Sequence, residues 1–326
     1  MRSAKSEISP ILKWVGGKRQ LLNALSPLFP KDYDVYCEPF LGGGAVLFYL
    51  KPNKAIVNDV NGDIMNLYQV VKTDVEALIV KLKTFKNTSD CYYQVREWDR
   101  DKILYESMDP VARAARILFM NRTCFNGVYR VNSKGFFNVP YGRYKNPIIA
   151  DEVNLRAVSQ YFNEADIEFC SGDYADVFAN LPQNSFVYLD PPYDPVSDTA
   201  NFTGYAKGGF SREDQIRLRG CCDGLNARGI KFMQSNAATP FIMELYHDYN
   251  ITMVKANRSI NRNGDGRGAV DEVVIRNYVN NDESFDDEAC TVSVPVSLST
   301  FRALVDKADL AGLSVSDTIS DLVKHC

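Results

Sequence analysis

The residues of this chain best placed to do chemistry close the stretch Ser185-Phe186-Val187-Tyr188-Leu189-Asp190-Pro191-Pro192-Tyr193, where an apolar run stops at a carboxylate, two prolines and a phenol ring. A carboxylate at the carboxyl end of a strand can serve a bound ligand, and the plainer reading is a strand followed by an ordinary Asp-Pro turn. A second set is Glu38-Pro39-Phe40-Leu41-Gly42-Gly43-Gly44 followed by Asn58-Asp59-Val60-Asn61. Glycines let a ligand approach the backbone, and an acid about twenty residues further on binds ribose hydroxyls in dinucleotide-binding folds. The spacing is not Gly-x-Gly-x-x-Gly, so a pyrophosphate is not indicated. S-adenosylmethionine, a nucleoside cofactor without phosphate, would use the same glycine approach and the same acid. An earlier glycine pair in Lys13-Trp14-Val15-Gly16-Gly17-Lys18 reads either as a loop with amides for an anion or as a turn packed over Trp14.

Only His247 and His325 are present, which disfavours a histidine base or a His-rich metal site. The eight cysteines contain no Cys-x-x-Cys pair, so neither a zinc site nor a disulfide framework is expected. A reducing, cytoplasmic setting fits them. No basic-then-apolar leader and no apolar run long enough to cross a bilayer is read in the sequence, so no membrane partner is expected. The chemistry must therefore rest on carboxylates, amides and aromatic rings, with no metal.

Net charge is -4, yet it is unevenly spread. Between Val111 and Pro147 lie Arg113, Arg116, Arg122, Arg130, Lys134, Arg143 and Lys145 and no acid, whereas the residues from Ser284 onward are acidic. Within the basic stretch, Cys124 to Pro140 interleaves Arg, Asn and aromatic side chains. Arg can grip guanine in a bidentate way, Asn can read adenine, and a ring can wedge where a base is displaced. A nucleic acid is the partner this implies, against the plainer reading of a solvated hairpin; double-stranded DNA follows only from the resemblance given below.

These residues need elements to carry them. Phe186 to Leu189 suit a buried central strand, and the prolines end it, which puts Asp190 at a strand's carboxyl end where open α/β sheets bind ligands. A helix is expected from Gln20 to Phe29, a strand into Glu38, a helix over Ala45 to Leu50 and a strand into Asp59. Helical pattern then runs to Leu82 with a Thr73-x-x-Glu76 capping box, and again from Cys91 to Tyr105. Asp109-Pro110 starts a helix that presents Arg113 and Arg116 on its surface. A glycine turn and short hairpin around Asn132 to Gly135 follow. Later come a helix from Val153, strands Asp166 to Cys170 and Ile230 to Ser235, a helix capped by Ser211, and a closing pair at Ile251 to Ala256 and Asp271 to Tyr278. Between that pair lies a loop rich in Gly and Arg. An acidic linker and a strand-helix-turn-helix tail complete the chain.

Taken in order, these pieces resemble the DNA adenine methyltransferase (Dam) family, D12 class, whose members transfer methyl from S-adenosylmethionine to adenine N6. The matching motifs are Lys13 to Lys18, Glu38 to Gly44, Asn58 to Asn61, Asn121 to Gly127 continuing through Arg130 to Tyr144, Asp190 to Tyr193, Phe202-Thr203-Gly204-Tyr205 and Arg258-Ser259-Ile260-Asn261. The resemblance implies an α/β fold with a seven-stranded methyltransferase (Rossmann-like) sheet. It assigns 1–72 and 151–280 to a discontinuous catalytic domain and 73–150 to an inserted, mostly helical target-recognition domain. Beyond the resemblance, 281–290 reads as an acidic linker and 291–326 as a ribbon-helix-helix-like tail suited to self-association, or else as a small helical appendage docked on its own catalytic domain. The family's cofactor site falls on Trp14, Gly17, Lys18, Glu38, Pro39, Phe40, Gly42, Gly43, Asp59, Asp173 and Asp190. Its catalytic motif falls on Asp190, Pro191, Pro192 and Tyr193, and its DNA contacts on Arg122, Phe125, Asn126, Arg130, Pro140, Arg143, Arg258 and Asn261. Phe125, Asn126, Arg130 and Pro140 match members that methylate GATC, with Phe125 standing where close relatives carry tyrosine. Two other activities share parts of this pattern: methylation of cytosine N4 or glutamine, which also uses Pro-Pro-Tyr, and DNA binding without catalysis.

Overall fold

Strands β1 (Val35–Glu38), β2 (Lys54–Asp59), β3 (Asp166–Ser171), β4 (Ser185–Leu189), β5 (Lys231–Ala237), β6 (Asn250–Asn257) and β7 (Ala269–Arg276) form one sheet in the order β3-β2-β1-β4-β5-β7-β6. The structure is a computed structural model, and it describes residues 8–14, 16, 18–195, 209–257, 269–280 and 307. The chain divides into two compact units, Met1–Asn280 and Asn281–Cys326. The expected linker, and the tail with its self-association, lie outside the described residues apart from Lys307. So do Gly17, Arg258, Asn261 and the Phe202-Thr203-Gly204-Tyr205 motif.

The first five strands are parallel, and β7 runs antiparallel between β5 and β6. Residues of β4 are buried throughout, as expected for an apolar run covered on both faces. Alternation sorts them: Phe186 and Tyr188 join a core with Tyr36, Val57, Leu67 and Phe119, while Val187 and Leu189 join one with Cys37, Leu218, Phe232 and Ile275.

Helices α1 (Leu22–Leu25), α2 (Ala45–Leu50), α3 (Gly62–Thr73), α4 (Val75–Lys83), α5 (Ser89–Arg96), α6 (Lys102–Ser107), α7 (Pro110–Thr123), α8 (Glu152–Glu164), α9 (Tyr174–Phe178), α10 (Arg212–Ala227) and α11 (Pro240–Leu245), with four short 3-10 turns, complete the described elements. Asp109 and Pro110 start α7 as expected, the Asp109 carboxylate accepting from the Val111 N–H at 2.8 Å. Ser211 and Asp214 form a capping box on α10. Among the described residues no helix is long and apolar enough to cross a membrane.

Four expectations need correction. The Gln20 to Phe29 helix is short α1 between 3-10 turns, because Pro27 has no N–H to extend an α ladder. The Thr73 capping box does not form: Thr73 bonds back to Gln69 O and to Asp74, and Arg156 takes the Glu76 carboxylate at 2.6 and 2.9 Å. The Cys91 to Tyr105 helix breaks at a 3-10 turn, after which the Asp101 carboxylate caps α6 through the Leu104 N–H. Arg116 is 1% exposed, not on the surface, and its guanidinium bonds to the carbonyls of Val95 and Arg96 and to Asp99 at 2.8 Å. The hairpin around Asn132 to Gly135 is present as a turn closed by one bridge, Val131 with Phe137.

Candidate active site

Strands β1 and β4 are neighbours, yet β2 and β3 lie on one side of them and β5 on the other. This reversal opens a crevice at the carboxyl ends of the two strands, the usual ligand site of such sheets. Glu38-Pro39-Phe40 and Asp190-Pro191 stand at its lips. The Lys18 ammonium bridges to Asp190 Oδ1 at 2.7 Å, with the side chains 4% and 24% exposed. It also donates to the Gly16 carbonyl at 3.1 Å and lies 4.7 Å from the Tyr193 ring centroid. Burial pushes the Asp190 carboxyl up, the Lys18 charge pulls it down, and Glu272 raises it further. Lys18 thus favours the charged carboxylate against desolvation.

Glu38 has a different environment. Its Oε2 accepts from the Tyr36 hydroxyl at 2.8 Å and the Leu47 N–H at 3.1 Å. Burial, the largest effect, pushes its carboxyl up to about 8, so it is mainly protonated at neutral pH.

Between β1 and α2 the glycine loop is held from both sides. Asp59 Oδ2 accepts the Gly42 N–H and Oδ1 the Asn61 N–H, each at 2.9 Å, and the Tyr68 hydroxyl donates to the Gly42 carbonyl at 3.0 Å. Gly42 has φ +46°, and a Cβ there would stand 2.5 Å from Trp14 Nε1. Only glycine lets Trp14 lie against this loop. The Phe40 ring packs on Tyr174 at 5.0 Å, and Pro39 offers its carbonyl to Asn58 at 3.1 Å. Asp173 caps α9 through the Ala175 N–H and pairs with Arg217 at 2.7 and 2.8 Å, contacts that hold its carboxyl below the usual range. Beside it a cavity of about 250 Å³ is lined by Ile56, Asn58, Cys170, Gly172 and Val177.

The loop after Asp190 is fixed by a buried amide chain. Gln215 donates to the Pro192 carbonyl at 2.9 Å and accepts from Asn236 at 3.1 Å, and Asn236 accepts the Asp194 N–H at 3.2 Å. The Asp194 carboxylate takes Arg212 at 3.1 Å and the Thr239 hydroxyl at 2.7 Å. The Tyr193 hydroxyl donates to Glu272 at 2.8 Å.

The residues matched to DNA contacts gather beyond the carboxyl end of α7. Asn121 is buried and grips the Lys13 backbone through both its amide groups, each at 2.8 Å, and also donates to the Gly127 carbonyl. This places the 125–127 turn next to the Trp14 segment, where Trp14 stacks on Tyr129 at 5.7 Å. Phe125 is 55% exposed, and Asn126, Pro140 and Arg143 are exposed beside it. Asn126 adopts the left-handed conformation, tolerated by Asn, and its N–H meets the Tyr144 hydroxyl at 2.9 Å. Arg130 is half-buried, its Nε on Asn138 at 2.8 Å. Arg122 stands apart, half-buried with its guanidinium on the Ile11 carbonyl at 2.7 Å. The base of the hairpin is tied to Asp99, which accepts the Phe137 N–H at 2.8 Å, and to Arg100, which donates to the Phe137 carbonyl at 3.0 Å.

Asn121, Asp194, Gln215, Asn236 and Glu272 were not singled out from the sequence. Glu272 follows Asp271 just before the apolar Val273 to Ile275, where an acid pair reads as a solvated strand end. The amides gave no signal, because their partners are distant in the chain.

The D12 class N6 adenine-specific DNA methyltransferase family matches residues 14–260. A type II methyltransferase, M1.LlaDCHI, of Lactococcus lactis subsp. cremoris is 44% identical over 282 residues, covering 86% of this chain and 99% of that protein. DNA adenine methylases of Vibrio cholerae and Escherichia coli K12 are each 37% identical, covering 81% of this chain and 94% and 93% of theirs. With a family match across most of its length and relatives covered nearly end to end, this chain belongs to the D12 class of N6 adenine-specific DNA methyltransferases.

Proposed function

We propose that this protein transfers a methyl group from S-adenosylmethionine to N6 of an adenine displaced from double-stranded DNA, with GATC as the preferred site. The observation that carries this reading is Asp190 at the end of β4, bridged by Lys18 and neighboured by Tyr193. The crevice fits the cofactor. Gly42 and Gly43 carry no side chain and Trp14 lies against them, Asp59 keeps a lone pair on each oxygen beyond its backbone bonds, and Phe40 borders the same loop. The adjoining cavity at Gly172 and Asp173, which Glu168, Asp176 and Asn180 also line, supports a place for part of the cofactor. When bound, S-adenosylmethionine supplies a methyl on a positively charged sulfur.

Adenine's amino nitrogen is a poor nucleophile because its lone pair is delocalised into the ring. The Asp190 carboxylate and the Pro191 carbonyl would accept its two N–H bonds, favouring a tetrahedral nitrogen with a directed lone pair. Positive charge then develops on that nitrogen, and the carboxylate offsets it. Orientation and charge suffice, with no strong base. As the N–CH3 bond would form and the sulfur–methyl bond break, the cationic nitrogen is acidic enough to release its extra proton to the Asp190 carboxylate and on to solvent. Tyr193 would stack on the displaced base. GATC preference rests on the resemblance at Phe125, Asn126, Arg130 and Pro140. In its support, Phe125 is exposed, as a wedge must be, and Asn138 holds the Arg130 Nε.

The test is to incubate the protein with methyl-labelled S-adenosylmethionine and duplexes that contain GATC or a permuted site, then digest them to nucleosides. Label in N6-methyladenine from the GATC duplex is expected. Label in N4-methylcytosine or in protein, or duplex binding without transfer, would overturn the reading, and equal label from both duplexes would overturn the site preference.

A further inference from the structure

We propose that Glu272 is a positioning residue for the methyl-transfer site, holding the Tyr193 ring in place to receive the displaced base. The inference rests on the reading above, in which Tyr193 stacks on that base. Glu272 lies on β7, the antiparallel strand inserted between β5 and β6, opposite Ala237 and Val254. It is 8% exposed, and its Oε2 accepts the Tyr193 hydroxyl at 2.8 Å. Among the described residues no cation pairs with it. A buried carboxylate without a cation is costly, and replacing it with an apolar residue would remove that cost. The phenol it holds is the contact that explains its place.

Two consequences follow from the geometry. The ring is anchored at both ends, by the Pro192-Tyr193 backbone and by its hydroxyl on a strand of the sheet frame. Rotating it out of the crevice would leave Glu272 buried and unpaired. The base therefore meets a ring already ordered, so base capture bears no further cost of fixing the side chain. The charge behind the hydroxyl also enriches the ring's electrons. This favours its attraction to cations, both the Lys18 ammonium 4.7 Å from its centroid and the amine on which positive charge develops.

The test uses the full chain and a GATC duplex, following single-turnover transfer, S-adenosylmethionine affinity, and the fluorescence of 2-aminopurine at the target position as the base leaves the stack. Tyr193→Phe keeps the ring and removes the hydroxyl, Glu272→Gln keeps an acceptor and removes the charge, and Glu272→Ala removes both. Tyr193→Phe and Glu272→Ala are each expected to lower the transfer rate and the 2-aminopurine signal by about ten-fold. The double variant should be no slower than either alone, with cofactor affinity unchanged. Glu272→Gln should lose less, and nothing further in the Tyr193→Phe background. Multiplying losses in the double variant, a parallel loss of cofactor affinity, or wild-type behaviour of Glu272→Ala would overturn the inference. Should Glu272→Ala melt below the assay temperature, Glu272→Gln in the two backgrounds decides: an equal loss in both overturns it. Absence of transfer by the wild-type protein would count against the methyl-transfer reading itself.

Discussion

Asp190 and Glu38 end neighbouring parallel strands, and both are raised by burial, yet they meet different fates. Asp190 has a cation at 2.7 Å, while the hydrogen bonds that Glu38 accepts come from neutral donors, so Glu38 takes a proton. A carboxyl raised from its ordinary value to about 8 in the folded state binds more protons folded than unfolded across that window, so its contribution to stability falls as pH rises through it. Glu38→Gln keeps both accepted bonds and removes the titration. Its melting temperature relative to wild type should climb from pH 5 to pH 9, and a difference constant with pH would contradict the assignment. At this scale Asp190 was legible because the two prolines that follow mark where the strand ends. Glu272 was not, since its phenol partner lies 79 residues away and only folding brings them together.

Elements were legible where local pattern and tertiary need agree. Helix α2 occupies Ala45–Leu50 as expected, α7 starts at its Asp109-Pro110 cap, and β4 ends before its prolines. The reading failed where a single residue outweighed periodicity, at Pro27 and Asp101, and at Arg116, whose charge on a helix suggested a solvated face. Its partners on another helical segment, Val95, Arg96 and Asp99, could not be read from spacing. That cluster supports the hairpin that carries Arg130, and two substitutions separate support from reading. Arg130→Ala should relax discrimination at one base position by roughly 1–3 kcal/mol and leave the melting temperature near wild type. Asp99→Ala removes the carboxylate bonded to the buried Arg116, leaving Asp63 as its nearby acid, and should cost about 3 kcal/mol of stability, weakening binding to every duplex alike. Thermal melts and competition binding distinguish them, and a specificity change confined to Asp99→Ala would invert the two roles.

In the whole molecule, a strand order that reverses between β1 and β4 brings together Lys18, Glu38, Asp59, Asp190 and Glu272 from segments spread along the chain. The seven-stranded sheet was legible as α/β alternation together with the resemblance. The placement of β7 between β5 and β6 was not, because periodicity carries no information on strand order. We propose that 73–150 serves as the recognition insert, supported by its basic composition and the exposed cluster at Phe125. Unit Met1–Asn280 closes on itself, with Asn280 donating to the carbonyls of Pro27 and Phe29 at 2.9 and 3.2 Å. The Lactococcus relative is covered almost completely by 86% of this chain. A protein ending at Asn280 should therefore transfer methyl at the full-length rate, and a ten-fold drop would show that catalysis needs the remaining residues.

The most direct test of the central claim, that the carboxylate ending β4 orients the adenine amine, is single-turnover methyl transfer by Asp190→Ala measured beside its duplex affinity. Transfer is expected to fall by about a hundred-fold or more while duplex binding stays within a few-fold of wild type; transfer near the wild-type rate would contradict it.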